Sequence, residues 1–584
     1  MLILGISEDF FDSGVTICDD DHILFMSNEE RYTRRKNEGG FPYQSLQSAL
    51  KQTGISIKEI ESVCVSGFVT PFPLFRIFPN LQKKAFDARR EKKHSEGSVS
   101  LWNNITEWAV SYNPISYINP TDAMKRKLAF ILKKIIQKRL PDLSKEIDIH
   151  FIEHHEAHAW GSYFCSGFDK ALIVTADGMG DGLSLTVSKG EGNTITRLWK
   201  SSAKSSFGLF FENLTEVLGF VPCRDEGKLT GLSAHGDANR IQHDNPFSWN
   251  QDILLYKGPY GKKLRAWLLQ LLEKYSREDL CAWSQNILEQ TICSLVKYWI
   301  KRTGLSKVTV AGGVFANVLL NQKIHELQEV EELFVYPNMG DGGLSLGAIS
   351  SQFRFYPKSL PHAFWGDAYG KEETKKAIDR YKLPFKELES HQINSIIAKC
   401  LYNKRIIARF DDKMEWGPRA LGNRSILCDS TMRDITEKLN IMLKRSDFMP
   451  FAPALLDEDA GHFLIGYEKA RHAGEFMTCC FRSTQKMKEE HGAVVHIDGT
   501  TRAQLVKKEN NPTFYEILKH YKKLSGTSVV LNTSFNMHES PIVRTPNEAL
   551  QTFIESGLDY LFLNNFIVGR NQDFWNEFDG NCNQ

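Results

Sequence analysis

Two histidines lie four residues apart in the stretch 153–158, which reads Glu-His-His-Glu-Ala-His. On a helix, His154 and His158 would project from one face, so both imidazoles could bind the same metal ion. This spacing alone is a weak signal, because pairs of surface histidines often share it. Asp341, in the glycine-rich stretch 339–343, is a suitable third ligand. Two histidines and one carboxylate fit Fe(II), Mn(II) or Zn(II).

Two glycine-rich turns follow predicted strands and indicate a nucleotide site. The first contains Asp177, Gly178 and Asp181, and the second contains Gly312 and Gly313. Glycine lets the backbone approach phosphates, and an aspartate can hold a metal ion or its water. Neither turn matches a P-loop or a Rossmann fingerprint, and each alone is more often a simple tight turn. Together with the histidines, they predict one nucleotide and metal cleft.

Three polar stretches fall in the last third of the chain, at residues 416–425, 496–504 and 531–536. The first contains Arg419 and Arg424 beside glycines, and two such arginines can grip a phosphate or carboxylate by forked hydrogen bonds. Each stretch alone could be a polar loop with satisfied turns. Three of them in one region predict a site for an anionic substrate.

Short strands and helices must position these groups. Strands are predicted at residues 2–6, 15–26, 171–176, 183–188 and 308–310, and helices at 43–52, 264–302 and 317–327. The segment 80–140 is basic and helical in pattern. A basic amphipathic helix can lie on a membrane, but a solvated face on an inserted helical subdomain is the simpler interpretation.

The periodic pattern breaks at about 352–366, so the sequence predicts a domain over 1–360 and a second mixed α/β domain over 367–584. The 72 basic residues almost balance the 71 acidic ones, so no nucleic-acid partner is expected. Eleven cysteines without a CxxC pair favour reduced thiols in the cytoplasm. No stretch approaches the roughly 20 apolar residues that a membrane span needs. Nothing in the sequence indicates an oligomeric state.

In their order along the chain, these motifs resemble those of the NodU/CmcH carbamoyltransferases. The resemblance covers nearly the whole chain. Its most specific stretches are Glu-Glu-Arg at 29–31 with Lys36 downstream, His-His-x-Ala-His at 154–158, Ala-Gly-Gly at 311–313 with Asn317, 417–425, 498–502 and 532–536. It implies an α/β fold, with a two-lobed actin- and hexokinase-like N-terminal domain of the TsaD and ribonuclease-H type, followed by a smaller YrdC-like domain.

The resemblance also implies a two-step reaction. The YrdC-like domain would convert carbamoyl phosphate and ATP, with Mg²⁺, into carbamoyl adenylate. The TsaD-like domain, with Fe(II) or another divalent metal, would transfer the carbamoyl group to a hydroxyl of a small molecule, such as a natural product or a sugar. Adenylation is chemically sensible, because a carbamate is a poor acyl donor until it carries a better leaving group.

Site residues follow from the same resemblance. His154, His158 and Asp341 would hold the metal, while Gly312, Gly313 and Asn317 would contact the nucleoside. The anionic substrates would be held by Arg419, Arg424, Arg502, Asn532 and Ser534. Either Lys444 or Arg445 would add a phosphate contact.

The first turn departs from the family pattern. The family stretch Gly-Ile-x-x-x-x-His-Asp-Ser appears here with Phe11 in place of the histidine, while Asp12 is kept. Phenylalanine can neither accept a proton nor orient a hydroxyl. Two interpretations follow. Either transfer depends on Asp12, Lys36, the metal or the acceptor itself, or the chain makes carbamoyl adenylate for a different use.

Other classes of protein fit less well. A non-catalytic nucleotide-binding protein would not need intact arginine motifs, and a transferase acting on tRNA should be more basic. A simple metallohydrolase would use the histidines but leave the second domain unexplained.

Overall fold

A computed structural model describes residues 1–90, 117–445 and 451–571 of the chain. The chain divides into two compact units, Met1–Leu360 and Pro361–Gln584. Both are mixed α/β structures with several sheets, which confirms the predicted α/β class at that level. Among the described residues, no helix combines the length and the apolar character that a membrane crossing requires.

The first sheet forms from apolar runs near the N-terminus. Its strands are β1 (Leu2–Ser7), β2 (Gly14–Asp19), β3 (His22–Asn28), β4 (Ser62–Ser66) and β5 (Asp148–Ile152), in the order β3-β2-β1-β4-β5. β1 pairs antiparallel with β2 and parallel with β4. The predicted strand 15–26 is two strands, because Asp20 adopts a positive φ of 50° and turns the chain back.

Five helices of the described residues belong to this part of the chain. They are α1 (Glu30–Thr33), α2 (Tyr43–Thr53), α3 (Pro73–Ile77), α4 (Pro79–Arg90) and α5 (Asp122–Arg139). Leu46 of α2 and Ile136 of α5 join Leu4 and Val63 of the sheet in one buried core. The predicted basic helical segment 80–140 is therefore helical at both ends, and residues 91–116 lie outside the described residues.

The second sheet of this unit carries both glycine-rich turns. The strands after β5 are β6 (Lys170–Gly180), β7 (Leu183–Glu191), β8 (Thr194–Ser202), β9 (Phe247–Trp249), β10 (Leu254–Tyr256), β11 (Lys307–Ala311) and β12 (Glu332–Val335). The sheet order is β12-β11-β6-β7-β8, while β9 and β10 form a separate hairpin. Asp181 and Gly182 both have positive φ, as in the two-residue type I′ turn of a tight hairpin.

Seven further helices belong to the described residues of this unit. They are α6 (His154–Ser166), α7 (Phe207–Val217), α8 (Glu226–Ser233), α9 (Lys262–Leu272), α10 (Arg277–Thr303), α11 (Val318–His325) and α12 (Leu344–Phe353). The predicted helix 264–302 is two helices. Ser276 starts the second one, because its hydroxyl accepts the Asp279 N–H at 3.0 Å and caps a new N-terminus.

The second unit is built on an eight-stranded sheet. The strands of the whole unit are β13 (Phe385–Glu387), β14 (Ile407–Phe410), β15 (Arg424–Asp429), β16 (Ala452–Leu456), β17 (Leu464–Ile465), β18 (Phe481–Ser483), β19 (Thr500–Thr501), β20 (Gln504–Val506), β21 (Val530–Ser534), β22 (Tyr560–Leu563) and β23 (Phe566–Val568). The order is β13-β23-β22-β14-β15-β21-β16-β20, and β17, β18 and β19 form a small sheet.

This sheet collects the three polar stretches. β15 and β21 pair antiparallel with Ser425 opposite Ser534, and β20 follows two strands away. The helices of this unit are α13 (Lys371–Tyr381), α14 (Ser390–Tyr402), α15 (Ile435–Leu443), α16 (Ala460–Phe463), α17 (Arg471–Glu475), α18 (Gln485–Glu490), α19 (Pro512–Ser525) and α20 (Pro546–Ser556).

Candidate metal and anion sites

The predicted histidine pair lies on the first two turns of helix α6. Glu153 caps this helix, because its carboxylate accepts the N–H groups of His155 and Glu156 at 3.2 and 2.9 Å. His154 and His158 are fully buried and face the same direction. The helical spacing predicted from the sequence is therefore present.

Two carboxylates complete a four-residue cluster. Asp177 Oδ2 lies 3.3 Å from His154 Nε2 and 3.0 Å from His158 Nε2. Asp341 Oδ1 lies 3.5 Å from each of these nitrogens. One ligand atom from each residue lies within 4.8 Å of every other. The structure thus brings together the three predicted metal ligands and adds Asp177, which the sequence indicated as a nucleotide contact.

The charges in this cluster depend on one another. Burial alone would lower the pKa of His154. Asp341, Asp177 and Asp9 instead raise this pKa well above its usual value. Burial and the neighbouring aspartates Asp177 and Asp9 raise the pKa of Asp341. Asp341 Oδ1 is buried without a hydrogen-bond partner among the described residues. Two imidazoles and two carboxylates, with such an orphaned oxygen, fit a divalent transition metal.

Asp9 and Asp181 support the cluster from outside. Asp9 Oδ2 lies 3.4 Å from His154 Nδ1, which is the position of a carboxylate that orients a ligating imidazole. No sequence motif marked Asp9. The carboxylate of Asp181 accepts backbone N–H groups of residues 68–70 and of His154 at 2.7–3.1 Å. Because these bonds occupy it, we assign Asp181 a positioning role rather than the predicted nucleotide contact.

The two glycine turns stand on either side of Asp177. Nothing lies within 4 Å of the point where a Cβ would stand on Gly178, so a ligand can approach there. Gly312 has a φ of 103°, and a Cβ would come within 2.1 Å of the Ala176 carbonyl oxygen. Gly313 faces the Asp177 carboxylate. These three glycines therefore crowd around the metal cluster.

Asn317, predicted to contact a nucleoside, already has structural partners. Its Oδ1 accepts the Leu320 N–H at 3.0 Å and caps helix α11. Its Nδ2 donates to Gln285 Oε1 at 2.7 Å. A nucleoside contact would have to come from its remaining hydrogen-bonding capacity.

Asp12 stands beside the Asp341 loop with a left-handed φ of 56°. Its carboxylate accepts the Asn28 amide at 2.6 Å and the Gly342 N–H at 3.2 Å. Burial and the neighbouring Glu30 raise the pKa of Asp12 to about 6. Lys36 lies in the loop after α1, next to Asn37, whose carbonyl accepts the Asp12 N–H at 3.1 Å.

Phe11 belongs to an aromatic cluster. Its ring centroid lies 4.6 Å from that of Phe10 and 5.6 Å from that of Phe86. The cluster also contains Phe72 and Phe75. The residue that replaces the family histidine is thus held by apolar packing, next to the Asp12 carboxylate.

Three arginines gather in the second unit. Burial, reinforced by the charge of Arg502, lowers the pKa of Arg419 strongly and that of Arg445 to about 10. Burial also lowers the pKa of Arg502 itself. No carboxylate of the described residues forms a salt bridge with any of the three. Partly buried cations that repel one another, with no acidic partner among the described residues, are suited to bind an anion.

Neighbouring groups complete this anion site. Arg445 donates to the hydroxyls of Thr533 and Ser534 at 2.8 and 3.1 Å, while Lys444 is exposed on the surface. Asn532 Nδ2 donates to Gln504 Oε1 at 2.8 Å, and Gln504 in turn donates to the Leu421 carbonyl at 2.8 Å. These bonds join the three predicted polar stretches, and they favour Arg445 over Lys444 as the phosphate contact.

Arg424 differs from the other arginines. Its guanidinium donates to the carbonyls of Asp411, Asp412, Asn423 and Asp367 and stacks 3.6 Å from the Phe410 ring centroid. It is fully buried. Because backbone carbonyls occupy both of its Nη atoms, we assign Arg424 a positioning role rather than the predicted catalytic one.

Glu415 shapes the loop that carries Arg419, and no sequence signal marked it. One oxygen of this buried carboxylate accepts the N–H groups of Leu421, Asn423 and Arg424 at 2.8, 2.9 and 3.1 Å. A single oxygen thus fixes the loop backbone between Arg419 and β15.

Comparison with protein families gives two adjacent matches. The model of the carbamoyltransferase N-terminus matches residues 2–350, and that of the carbamoyltransferase C-terminus matches residues 398–570. Together they cover most of both units. The motif resemblance drawn from the sequence is thereby confirmed.

Individual relatives align over most or part of the chain. An uncharacterized protein of Methanocaldococcus jannaschii is 30% identical over 97% of this chain and 99% of its own length. Nodulation protein NolNO of Sinorhizobium fredii is 28% identical over 95% of this chain and 78% of its own. The 3'-hydroxymethylcephem-O-carbamoyltransferase of Streptomyces clavuligerus is 28% identical over 57% of this chain and 62% of its own.

Among solved structures, full-length HypF aligns with 62% of this chain and 47% of its own. The identity is 13% and the TM-score is 0.33, a similarity too low to assign a fold.

Proposed function

This chain belongs to the NodU/CmcH family of O-carbamoyltransferases and is an enzyme of that class, and on this premise we propose its reaction. It converts carbamoyl phosphate and ATP into carbamoyl adenylate, and transfers the carbamoyl group to a hydroxyl of a small molecule. The first unit is the TsaD-like transfer domain, and the second is the YrdC-like domain that makes the adenylate. Both act inside the cytoplasm.

The arginine cluster carries this proposal. Carbamoyl phosphate and the triphosphate of ATP are the anions that Arg419, Arg445 and Arg502 would neutralise, since no acid among the described residues does so. Guanidiniums bind phosphoryl oxygens in forked pairs, and a desolvated site strengthens each contact. Ser534 and Asn532 add neutral hydrogen-bonding groups at the same place.

The first step balances with one water. Carbamoyl phosphate loses its phosphate to water, the resulting carbamate oxygen attacks the α-phosphorus of ATP, and pyrophosphate leaves. Inorganic phosphate and pyrophosphate are therefore released together with carbamoyl adenylate. The arginines stabilise the charge that develops on the phosphoryl oxygens, and Mg²⁺ accompanies the ATP.

The second step occurs in the first unit. His154, His158, Asp177 and Asp341 would hold a divalent metal, Fe(II) by family resemblance, which when bound supplies a Lewis acid. Gly178 leaves its backbone open for the adenylate, while Gly312 and Gly313 let the second turn pack closely against the strand that carries Asp177. The acceptor oxygen bonds to the carbamoyl carbon, the bond to AMP breaks, and the hydroxyl proton goes to a base.

Asp12 is the residue we assign as that base. Phe11 cannot accept a proton, whereas the Asp12 carboxylate is next to the metal cluster and its pKa of about 6 leaves it ionised at neutral pH. Lys36, on the adjoining loop, contributes positive charge for the departing AMP. Phe11 also favours a second candidate, in which carbamoyl adenylate serves an acceptor different from those of the family.

The test is release of pyrophosphate by the purified full chain with Fe(II), ATP and carbamoyl phosphate, without an acceptor. We expect release that requires both substrates and is lost in Arg419→Ala. Arg433→Ala, which removes an exposed arginine of the same unit, should behave like the wild type. Release that persists in Arg419→Ala, or no release even with hydroxylated metabolites added, would refute the proposal.

A further inference from the structure

Arg76, on helix α3, is a buried arginine of the first unit that none of the motifs described above includes. Its side chain is 1% exposed. Its Nη2 donates to the Ser66 carbonyl at 2.9 Å and to the Thr70 carbonyl at 3.3 Å. Removing a guanidinium from water is costly, so its neighbours must compensate for the buried charge.

The two carbonyls that Arg76 holds are at the ends of the loop 66–70. The last three N–H groups of this loop bind the carboxylate of Asp181, and the Thr70 hydroxyl accepts the Asp181 N–H at 2.9 Å. Gly67 turns the loop with a φ of 79°, where a Cβ would collide with the Thr70 carbonyl oxygen. Arg76 therefore fixes the carbonyls of the loop, while Asp181 binds its N–H groups.

A second connection runs through Glu8, the residue before Asp9. Glu8 is fully buried, and its Oε2 lies 3.8 Å from Arg76 Nε. Arg139, on helix α5, donates to Glu8 Oε1 and to the Arg76 carbonyl. Each arginine thus faces one oxygen of the Glu8 carboxylate, and together they fix the chain where Asp9 begins.

Both connections end at the same metal ligand. Asp181 accepts the His154 N–H at 3.0 Å, and Asp9 Oδ2 lies 3.4 Å from His154 Nδ1. Burial lowers the pKa of Arg76. The carboxylates that counteract this shift are those of Glu8, Asp181 and Asp9. Arg76 is therefore close to both carboxylates that hold His154, one at its backbone and one at its ring.

We propose that Arg76 is a positioning residue of the metal site, which fixes His154 through Asp181 and Asp9. The inference rests on the proposed function, because the metal belongs to the proposed transfer step. An arginine suits this role better than a neutral donor, because its charge also balances the buried carboxylates. Arg76 acts through these carboxylates and is not itself a metal ligand.

Binding of Co(II) to the purified full chain, without substrates, tests the proposal. The visible absorption of bound Co(II) reports the geometry of its ligands. Arg76→Gln should weaken Co(II) binding about tenfold, as expected when an outer partner of a metal ligand is lost. The spectrum of the bound ion should change as well, because His154 is no longer held in one orientation. Arg277→Gln, which changes an arginine that donates to the Leu218 carbonyl, should bind Co(II) like the wild type.

A second variant covers the case in which Arg76→Gln does not fold. Thr70→Val removes the hydroxyl that accepts the Asp181 N–H, and keeps both the shape of the side chain and the charge of Arg76. It should give a change in the Co(II) spectrum with a smaller loss of affinity. Loss of folded protein alone would reduce the amount of bound Co(II) without changing the spectrum of each bound ion.

A wild-type Co(II) spectrum in Thr70→Val and in folded Arg76→Gln, or an equal loss of affinity in Arg277→Gln, would overturn the proposal. A wild type that binds no Co(II) would overturn it too, together with the metal site. Pyrophosphate release by Arg76→Gln should match that of the wild type, because this step belongs to the second unit. Absence of release in the wild type would instead be a failure of the proposed adenylate synthesis.

Discussion

The metal cluster of the first unit and the arginine cluster of the second solve opposite electrostatic problems. In the first, imidazoles and carboxylates alternate, and Asp177 lies within 3.3 Å of both His154 and His158. In the second, Arg419, Arg445 and Arg502 gather with no acidic partner among the described residues. One cluster offers imidazole and carboxylate ligands for a cation, and the other has excess positive charge for an anion.

The difference teaches that like charges clustered away from water indicate a ligand site when no opposite charge lies near them. A buried ion pair is weak evidence for function, because it can serve structure alone. Arg424 is likewise a buried charge with a structural role, since four carbonyls and the Phe410 ring hold it. The three clustered arginines, which form no salt bridge with a described residue, have a cost in stability that a bound anion would offset.

Replacing Arg502 is expected to have the largest effect. Arg502→Met should lower pyrophosphate release about 100- to 1,000-fold, the usual loss when a preorganised donor to a transition-state oxyanion is removed. The same change should raise the thermal unfolding midpoint without ligand, because it removes the charge that repels Arg419 and Arg445. Steady-state kinetics and calorimetry measure the two effects.

Arg424→Met is the matched control, and it should lower the stability of the protein instead of raising it. It removes a guanidinium whose two Nη atoms donate to backbone carbonyls, and should cost about 2–4 kcal/mol of unfolding free energy. If Arg502→Met were the less stable of the two variants, the distinction between the arginines would fail.

Asp177→Asn should weaken divalent-metal binding roughly 100-fold or more. It neutralises a carboxylate that lies 3.0 Å from His158 Nε2, where a bound cation would feel several kcal/mol of attraction. Anaerobic competition against a fluorescent chelator measures the affinity. Asp9→Asn, which changes a carboxylate that contacts the ligand His154 rather than the metal, should lower the metal affinity only about tenfold. Equal losses in both variants would remove Asp177 from the ligand set.

Sequence reasoning succeeded where chemistry is local. Helix geometry alone places His154 and His158 on one face, and Asp341 is predicted as the third ligand from its glycine-rich stretch and again by the motif resemblance. Asp177 was assigned to the nucleotide because its glycine-rich surroundings dominate the local pattern. Its contact with the histidines depends on how β6 packs against α6, which no local pattern encodes.

The same limit explains Asp181 and the arginines. Asp181 and Asp177 are four residues apart in one turn, yet Asp181 points back to bind the N–H groups of residues 68–70. Arg419 and Arg424 share one motif. Tertiary packing alone gives Arg424 its carbonyl partners and leaves Arg419 without a salt bridge to any described residue. Phe11 was visible in the sequence, whereas the aromatic cluster that holds it required the fold.

Asp181→Asn is expected to destabilise the first unit by about 2–3 kcal/mol. The carboxylate accepts charge-assisted bonds from several backbone N–H groups, and an amide can accept fewer and weaker ones. Urea denaturation of the full chain measures the change. Asp252→Asn, at an exposed turn, should leave stability unchanged. If Asp181→Asn left the unfolding free energy unchanged, Asp181 would again be a candidate nucleotide contact.

The smallest expected effect concerns a buried base that, unlike the arginines, is satisfied without a ligand. His491 bonds to the hydroxyls of Ser430 and Thr527 at 2.8 and 3.0 Å, and burial lowers its pKa to about 4. Because the unfolded histidine titrates near 6.5, its stabilising contribution is complete above that pH. It is lost as the pH falls toward 4, by up to about 3 kcal/mol.

His491→Gln should therefore flatten the fall in unfolding free energy between roughly pH 7 and pH 5, measured by urea denaturation. His391→Gln, at an exposed position, should keep the slope of the wild type. The comparison is of slopes, so a general loss of stability in the variant does not obscure it. An unchanged slope would mean that His491 is not kept neutral by burial. Burial would then also lower the pKa values of the clustered arginines less than the comparison of the two clusters assumes.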